Sequence, residues 1–167
     1  MNSIPPTADL CDANERLFDS GELQVLAPGL LAFGARERFC GVARTIKLFE
    51  DNSVLAQAVK EPGAGQVLVV DAGGSTRCAV LGGNLARSVA DSGWAGVVVF
   101  GAVRDVEEID ACAVGVRALA VTPRRSVKRG EGQRDLVVSV CGAMVRPGDW
   151  IYADRDGVLV SARPLHS

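Results

Sequence analysis

Apolar residues fall in short dense runs separated by glycine-rich turns, and the runs follow two rhythms. Residues 66–71 and 96–103 are almost wholly apolar and rich in valine, as expected of strands buried on both faces. Residues 41–48 alternate instead, with Val42, Ile46 and Leu48 on a two-residue beat that predicts a strand. Leu85, Ala86, Val89, Ala90 and Trp94 fall on one face of a helix, and Leu55, Ala56 and Val59 mark another that Asp51-Asn52-Ser53 would cap and Pro62-Gly63 would end. Thr7 is placed to cap a helix over residues 8–16, and residues 23–26 read as the first strand, followed by a Gly- and Arg-rich loop over 29–38. Residues 78–81 form a short apolar piece, a short helix follows Asp105, and residues 116–121 read as another strand. Further strands are expected at 136–141, 150–152 and 158–161, with turns at Pro147-Gly148-Asp149 and over 154–157. The middle of the chain is strand–helix–strand and the end is strand after strand. That order predicts a single α/β domain with mixed sheets, without repeat or linker.

Composition narrows this picture. A chain of 167 residues, 48 % hydrophobic and 23 % charged, can build one proper core. A net charge of −2 argues against a general nucleic-acid binder, and the basic stretch from Arg124 to Arg134 is broken by Glu131 and reads as a solvated loop. The five cysteines are scattered, odd in number and without zinc spacing, so a reducing cytoplasm is expected. The opening Met1-Asn2-Ser3-Ile4-Pro5-Pro6 lacks the layout of a signal peptide, and no apolar stretch suits a membrane span. The one histidine, His166, sits next to the end in what reads as a frayed tail. Histidine-based triads and two-histidine metal sites within one chain are therefore not expected, and chemistry falls to carboxylates, arginine, backbone N–H groups and an oxygen-ligated metal.

Arg104-Asp105 closes the apolar run 96–103. A buried strand ending in a guanidinium beside a carboxylate can reach into a cleft, Arg104 gripping an anion with its planar fork and Asp105 anchoring a hard divalent cation. The competing reading is a strand-end ion pair or a helix N-cap. Gly82-Gly83-Asn84-Leu85 opens a predicted helix, whose free N–H groups could seat a carboxylate or phosphate, unless the glycines serve only a sharp turn. Neither this cluster nor Gly73-Gly74 forms a Walker loop or a dinucleotide fingerprint. Together the pieces suit a small dianionic or keto-acid ligand.

The stretches 67–75, 81–86 and 93–105, with Gly82-Gly83-Asn84-Leu85 and Gly101-Ala102-Val103-Arg104-Asp105 at their centre, closely resemble the RraA-like family, and the likeness continues through 112–119 and 152–158. That family joins regulators of ribonuclease E to class II 4-hydroxy-4-methyl-2-oxoglutarate aldolases that also decarboxylate oxaloacetate. The resemblance implies a swivelling-type α/β domain spanning residues 1–167, assembled as a ring-shaped trimer with sites between subunits. It implies a lyase in which Gly82, Gly83, Asn84, Leu85 and Arg104 bind the pyruvyl part of a keto-acid substrate and Asp105 serves Mg²⁺ or Mn²⁺, with Arg104 and Asp105 catalytic. The alternative it offers is a non-catalytic trimer that binds and inhibits ribonuclease E. Aldolases of the family often carry an acid where this chain has Gly83, and Asn84 beside it cannot act as a base either. Glu37, Asp71 or a carboxylate of a neighbouring subunit are the candidates for that role. The departure weakens aldol cleavage more than decarboxylation, which deprotonates no hydroxyl. Methyl transfer, also attached to such sequences, is not expected without a glycine-rich nucleoside loop.

Overall fold

The computed structural model describes residues 3–166; Met1 and Asn2, part of the stretch read for a targeting signal, lie outside the described residues, as does Ser167. Three parallel strands form the centre: β4 (Val67–Asp71), β6 (Gly96–Val103) and β7 (Gly115–Val121), with β3 (Phe39–Lys47) parallel to β4 on one side. The apolar runs are continuous because both faces of these strands are covered. Leu68, Val70, Val97 and Val99 face one core, which also holds Leu55, Val59, Ala86, Val89 and Trp94 from the helical side. Val67, Val69 and Val98 face a second core on the other side, with Val138, Val140, Val145 and Ile151.

The helices are α3 (Ser53–Ala58), α4 (Gly83–Asp91) and α5 (Val106–Asp110), with α1 (Thr7–Ala13) and α2 (Arg16–Ser20) near the N-terminus. Antiparallel strands extend the sheet: β11 (Trp150–Ala153) pairs with β3, β12 (Val158–Ser161) with β11, and β1 (Leu23–Val25) with β12. The short β5 (Ala79–Leu81) lies parallel to the end of β6, and β8 (Gln133–Arg134) pairs with β3. The result is a mixed α/β domain built on a ten-stranded sheet, as expected. Among the described residues no helix is long and apolar enough to cross a membrane.

Several expectations need correction. Residues 29–38 are not all loop, because β2 (Leu31–Phe33) pairs antiparallel with β7. The expected strand 136–141 is instead the hairpin of β9 (Val138–Val140) and β10 (Ala143–Val145), two short strands that cover the second core. The helix expected over 8–16 breaks into α1 and α2, and Thr7 is its first residue rather than its cap. The N–H and hydroxyl of Thr7 both donate to Asp154, at 2.7 Å each, so a distant carboxylate takes the group that a cap would have used. His166 is not frayed: its Nδ1 lies 2.6 Å from the Tyr152 hydroxyl, and its ring packs edge-on against Trp150 and Tyr152. It thereby seals a third core around Leu23, Tyr152 and Leu159, whose aromatic floor the linear sequence does not display.

A cavity at the carboxyl end of the parallel strands

β6 delivers Arg104 and Asp105 to the end of the sheet. The Arg104 N–H donates to Leu81 O at 3.0 Å, which ties the end of β6 to the end of β5. The chain then turns through Asp105 in the left-handed region (φ 57, ψ 47), a conformation uncommon outside glycine that aspartate and asparagine adopt more readily than other residues. Asp105 precedes α5 but does not cap it. Its Oδ2 accepts the Gly83 N–H at 3.2 Å, reaching across to the start of α4. Arg104 Nε stands 3.8 Å from the same oxygen, too long for a strong ion pair, with the two side chains 38 % and 43 % exposed. The strand-end pair and the helix cap are thus both poor descriptions of these residues.

The two glycines at the start of α4 answer to space, not to backbone conformation, since neither has a positive φ. A Cβ on Gly82 would lie 2.8 Å from Asp105 Oδ2 and 3.4 Å from Arg104 Cγ. A Cβ on Gly83 would strike the Glu108 carboxylate and come within 2.7 Å of Glu108 Cβ. Gly73 and Gly74 differ, at φ 68 and 70: they make a turn, packed beside Phe49 and Phe100.

Gly82, Asn84, Leu85, Arg104 and Asp105 line one cavity of about 210 Å³. Gly83 sits behind it, its N–H spent on Asp105. The N–H groups of Asn84 and Leu85 have no preceding helical turn to bond, so the positive end of α4 borders the cavity. Asn52, Arg125, Ser126 and Lys128 also line this cavity, and no motif in the sequence assigns them to it. Part of the stretch expected to be a solvated loop is zipped onto β5 and the turn before α3. Ala79 N–H donates to Arg124 O at 2.7 Å, Ser126 N–H to Ala79 O at 3.1 Å, and Val127 N–H to Glu50 O at 3.1 Å. The basic stretch beginning at Arg124-Arg125 is the sequence signal for most of these residues, and nothing in the chain order links it to Arg104.

A larger cavity of about 480 Å³ adjoins the first and shares Arg125 and Ser126 with it, lined also by Arg77, Arg124 and Arg129. Beneath it Asp51 organises the loop. Burial alone would raise its carboxyl, but the Ser53 hydroxyl and N–H and the Arg129 and Glu131 N–H groups hold it down at about 2. At the rim Glu50 is lowered by hydrogen bonds from Arg77 and Ser75. The smaller cavity sets three cationic side chains, Arg104, Arg125 and Lys128, against the single carboxylate of Asp105, and so favours a multiply anionic ligand. Neither candidate base reaches it: Asp71 is held by Lys47 Nζ at 3.0 Å and the Gly73 N–H at 2.9 Å, and Glu37 borders a separate hollow beside Arg38.

Among the described residues no three His, Cys, Asp or Glu side chains converge on a point that could hold a metal. One exposed carboxylate is not a cage for a metal that wants several nitrogen or sulfur ligands, such as zinc. It does fit a hard cation such as Mg²⁺, which keeps several waters and takes its other ligands from the substrate.

The sequence profile described as Aldolase/RraA, RraA-like, matches residues 7–160. A protein of Cupriavidus necator provisionally named 4-hydroxy-4-methyl-2-oxoglutarate aldolase is 54 % identical over 161 residues, covering 96 % of this chain and 98 % of that one. A Burkholderia mallei protein of the same provisional name is 57 % identical over 155 residues, covering 93 % and 94 %. Among solved structures, the RNA-processing inhibitor RraA of Thermus thermophilus superimposes with a TM-score of 0.90 at 46 % identity, covering 97 % of this chain and 95 % of that one. A Geobacillus kaustophilus protein described as an S-adenosylmethionine:2-dimethylmenaquinone methyltransferase also scores 0.90, at 40 % identity and 96 % and 97 % coverage.

Proposed function

The chain belongs to the RraA-like family, and from that footing we propose that it is a divalent-metal-dependent carbon–carbon lyase releasing pyruvate, by aldol cleavage of 4-hydroxy-4-methyl-2-oxoglutarate, by decarboxylation of oxaloacetate, or by both. The observation that carries this reading is the meeting of Arg104, Asp105 and the open start of α4 in one cationic cavity. Arg104 takes the carboxylate of the keto acid in its planar fork, and the Asn84 and Leu85 N–H groups face the oxygens on which negative charge grows. Asp105, pinned by the Gly83 N–H, holds Mg²⁺ or Mn²⁺. When bound, the ion supplies Lewis-acid polarisation of the keto oxygen. Arg125 and Lys128 attract the second carboxylate.

In decarboxylation the C–C bonding pair passes to the carbon next to the carbonyl as carbon dioxide leaves, and no base is needed. Aldol cleavage must first remove a hydroxyl proton, and Asp105 is the one carboxylate of this chain on the cavity wall. A base would then come from a neighbouring subunit of a homotrimer. We also propose that the domain spans residues 1–167 and works in the cytoplasm. The methyltransferase description of one structural neighbour is not carried over, because the sequence shows no glycine-rich nucleoside fingerprint.

The test is pyruvate release from oxaloacetate with Mg²⁺, comparing wild type, chelated protein and Asp105→Ala against a metal-only blank. Loss in both the variant and the chelated sample supports the lyase. A wild-type rate equal to the blank rejects decarboxylation, and the same result with 4-hydroxy-4-methyl-2-oxoglutarate rejects the lyase and favours the second reading, a regulator that docks on ribonuclease E. The likeness to an RNA-processing inhibitor motivates that alternative. A regulator would retain its partner in a pull-down after Asp105→Ala and after chelation.

A further inference from the structure

The larger cavity, of about 480 Å³, is given no role by the chemistry of its neighbour. Four arginines line it: Arg77, Arg124, Arg125 and Arg129. Arg77 is already matched, since Glu50 accepts from its Nε at 2.6 Å and from its Nη2 at 2.9 Å. Among the described residues Arg124, Arg125 and Arg129 enter no ion pair. Three carboxylates share the lining. Glu50 is spent on Arg77, and Asp51, 1 % exposed, is turned to the Ser53 hydroxyl and the Arg129 and Glu131 N–H groups. Glu131 alone is left to oppose three guanidinium groups, so the cavity favours an anion.

The backbone beneath these arginines is fixed. Arg124 O and the Ser126 N–H bond to Ala79, the Val127 N–H bonds to Glu50 O, and Asp51 holds the N–H groups of Arg129 and Glu131. Guanidinium groups carried on a pinned strap lose only side-chain freedom on closing around a ligand, and their planar forks match the oxygens of phosphoryl groups. The volume suits a whole small molecule rather than one phosphate. Phe49 lines the same cavity and is 56 % exposed. A Cβ on Gly73 would stand 2.8 Å from Phe49 Cδ2, so the glycine lets the ring rest against backbone while its other side stays open. A planar base can stack on that ring, and a bare phosphate cannot use it.

We propose that this cavity binds a free nucleoside diphosphate or triphosphate, its phosphates held by Arg124, Arg125 and Arg129 and its base laid on Phe49. No Walker or dinucleotide loop is required, because side chains rather than backbone N–H groups grip the phosphates. One small anion also accords with a net charge of −2, which disfavours a nucleic-acid strand. Such a site works whether or not the neighbouring cavity is a lyase.

The test titrates ADP, pyrophosphate and adenosine calorimetrically into the full-length protein in metal-free buffer, which keeps a cation at Asp105 out of the measurement. ADP should bind saturably and about tenfold or more tighter than either pyrophosphate or adenosine. Arg124→Gln and Arg129→Gln, which alter the larger cavity alone, should each weaken ADP about tenfold. Phe49→Ala should bring ADP to within roughly threefold of pyrophosphate while pyrophosphate binds as it does to wild type. Arg104→Gln, in the smaller cavity, should leave the ADP affinity within roughly twofold of wild type. Arg124, Arg129 and Phe49 are exposed, so their variants should keep the wild-type melting temperature. The absence of saturable ADP binding overturns the inference. Pyrophosphate binding as tightly as ADP also overturns it, as does an ADP affinity that falls with Arg104→Gln and survives both Arg124→Gln and Arg129→Gln.

Discussion

Arg104 and Gly83 show how differently two residues of one motif can matter. Arg104→Lys keeps the charge but loses the planar fork, so kcat/KM should fall on the order of 10- to 100-fold with little change in stability, since the side chain is partly exposed. Steady-state kinetics beside a thermal melt checks this, and undiminished activity would discard the carboxylate clamp. Gly83→Ala acts on the fold first. Its Cβ would collide with Glu108, a form of overpacking that costs about 1–3 kcal/mol. Urea unfolding should register that loss, and Glu108→Ala should relieve most of it in the double variant, because the two side chains contend for one space. Sequence alone marked Gly82 and Gly83 as candidates for a turn or an anion seat. It could not show that Asp105 and Glu108 press on them, because that contact joins α4 to α5 across the end of the sheet.

At the scale of elements, the apolar strands were legible because burial on both faces leaves an uninterrupted run, as in β4 and β6. The short edge pieces were not: β2 and β10 have three residues each, too few to display a period. The basic loop was legible as charge, and its side chains are solvated apart from buried Ser126; the backbone bonds that fasten it to β5 leave no trace in composition. Asp51 is the other fastening. A carboxyl held near 2 in the folded protein, against an ordinary value near 3.8, contributes stability above the ordinary value that is lost as pH falls toward 2. Asp51→Asn should therefore flatten the acid limb of the stability–pH curve over that range, read by urea midpoints. It should also speed amide exchange at Arg129 and Glu131, whose N–H groups donate to Asp51 Oδ2. An unchanged acid limb would rule out Asp51 as its source.

At the scale of the molecule, one carboxylate facing three cations makes a good anion seat but leaves the proposed aldol cleavage without a base. If a second subunit supplies the missing base, the protein must assemble, and sedimentation equilibrium should return three times the 17.4 kDa chain mass. A monomer at assay concentration would leave decarboxylation as the chemistry this chain can perform alone. The sequence by itself determined the α/β class, the buried central strands and the Arg104-Asp105 and Gly82–Leu85 segments, because local periodicity and short motifs are written in consecutive residues. Only the tertiary structure decided that Asp105 serves α4 rather than α5, that His166 packs against Tyr152, and that Asn52 and Ser126 line the same cavity as Arg104. Those relations arise where strands distant in sequence end side by side, and no local pattern encodes which ends will meet.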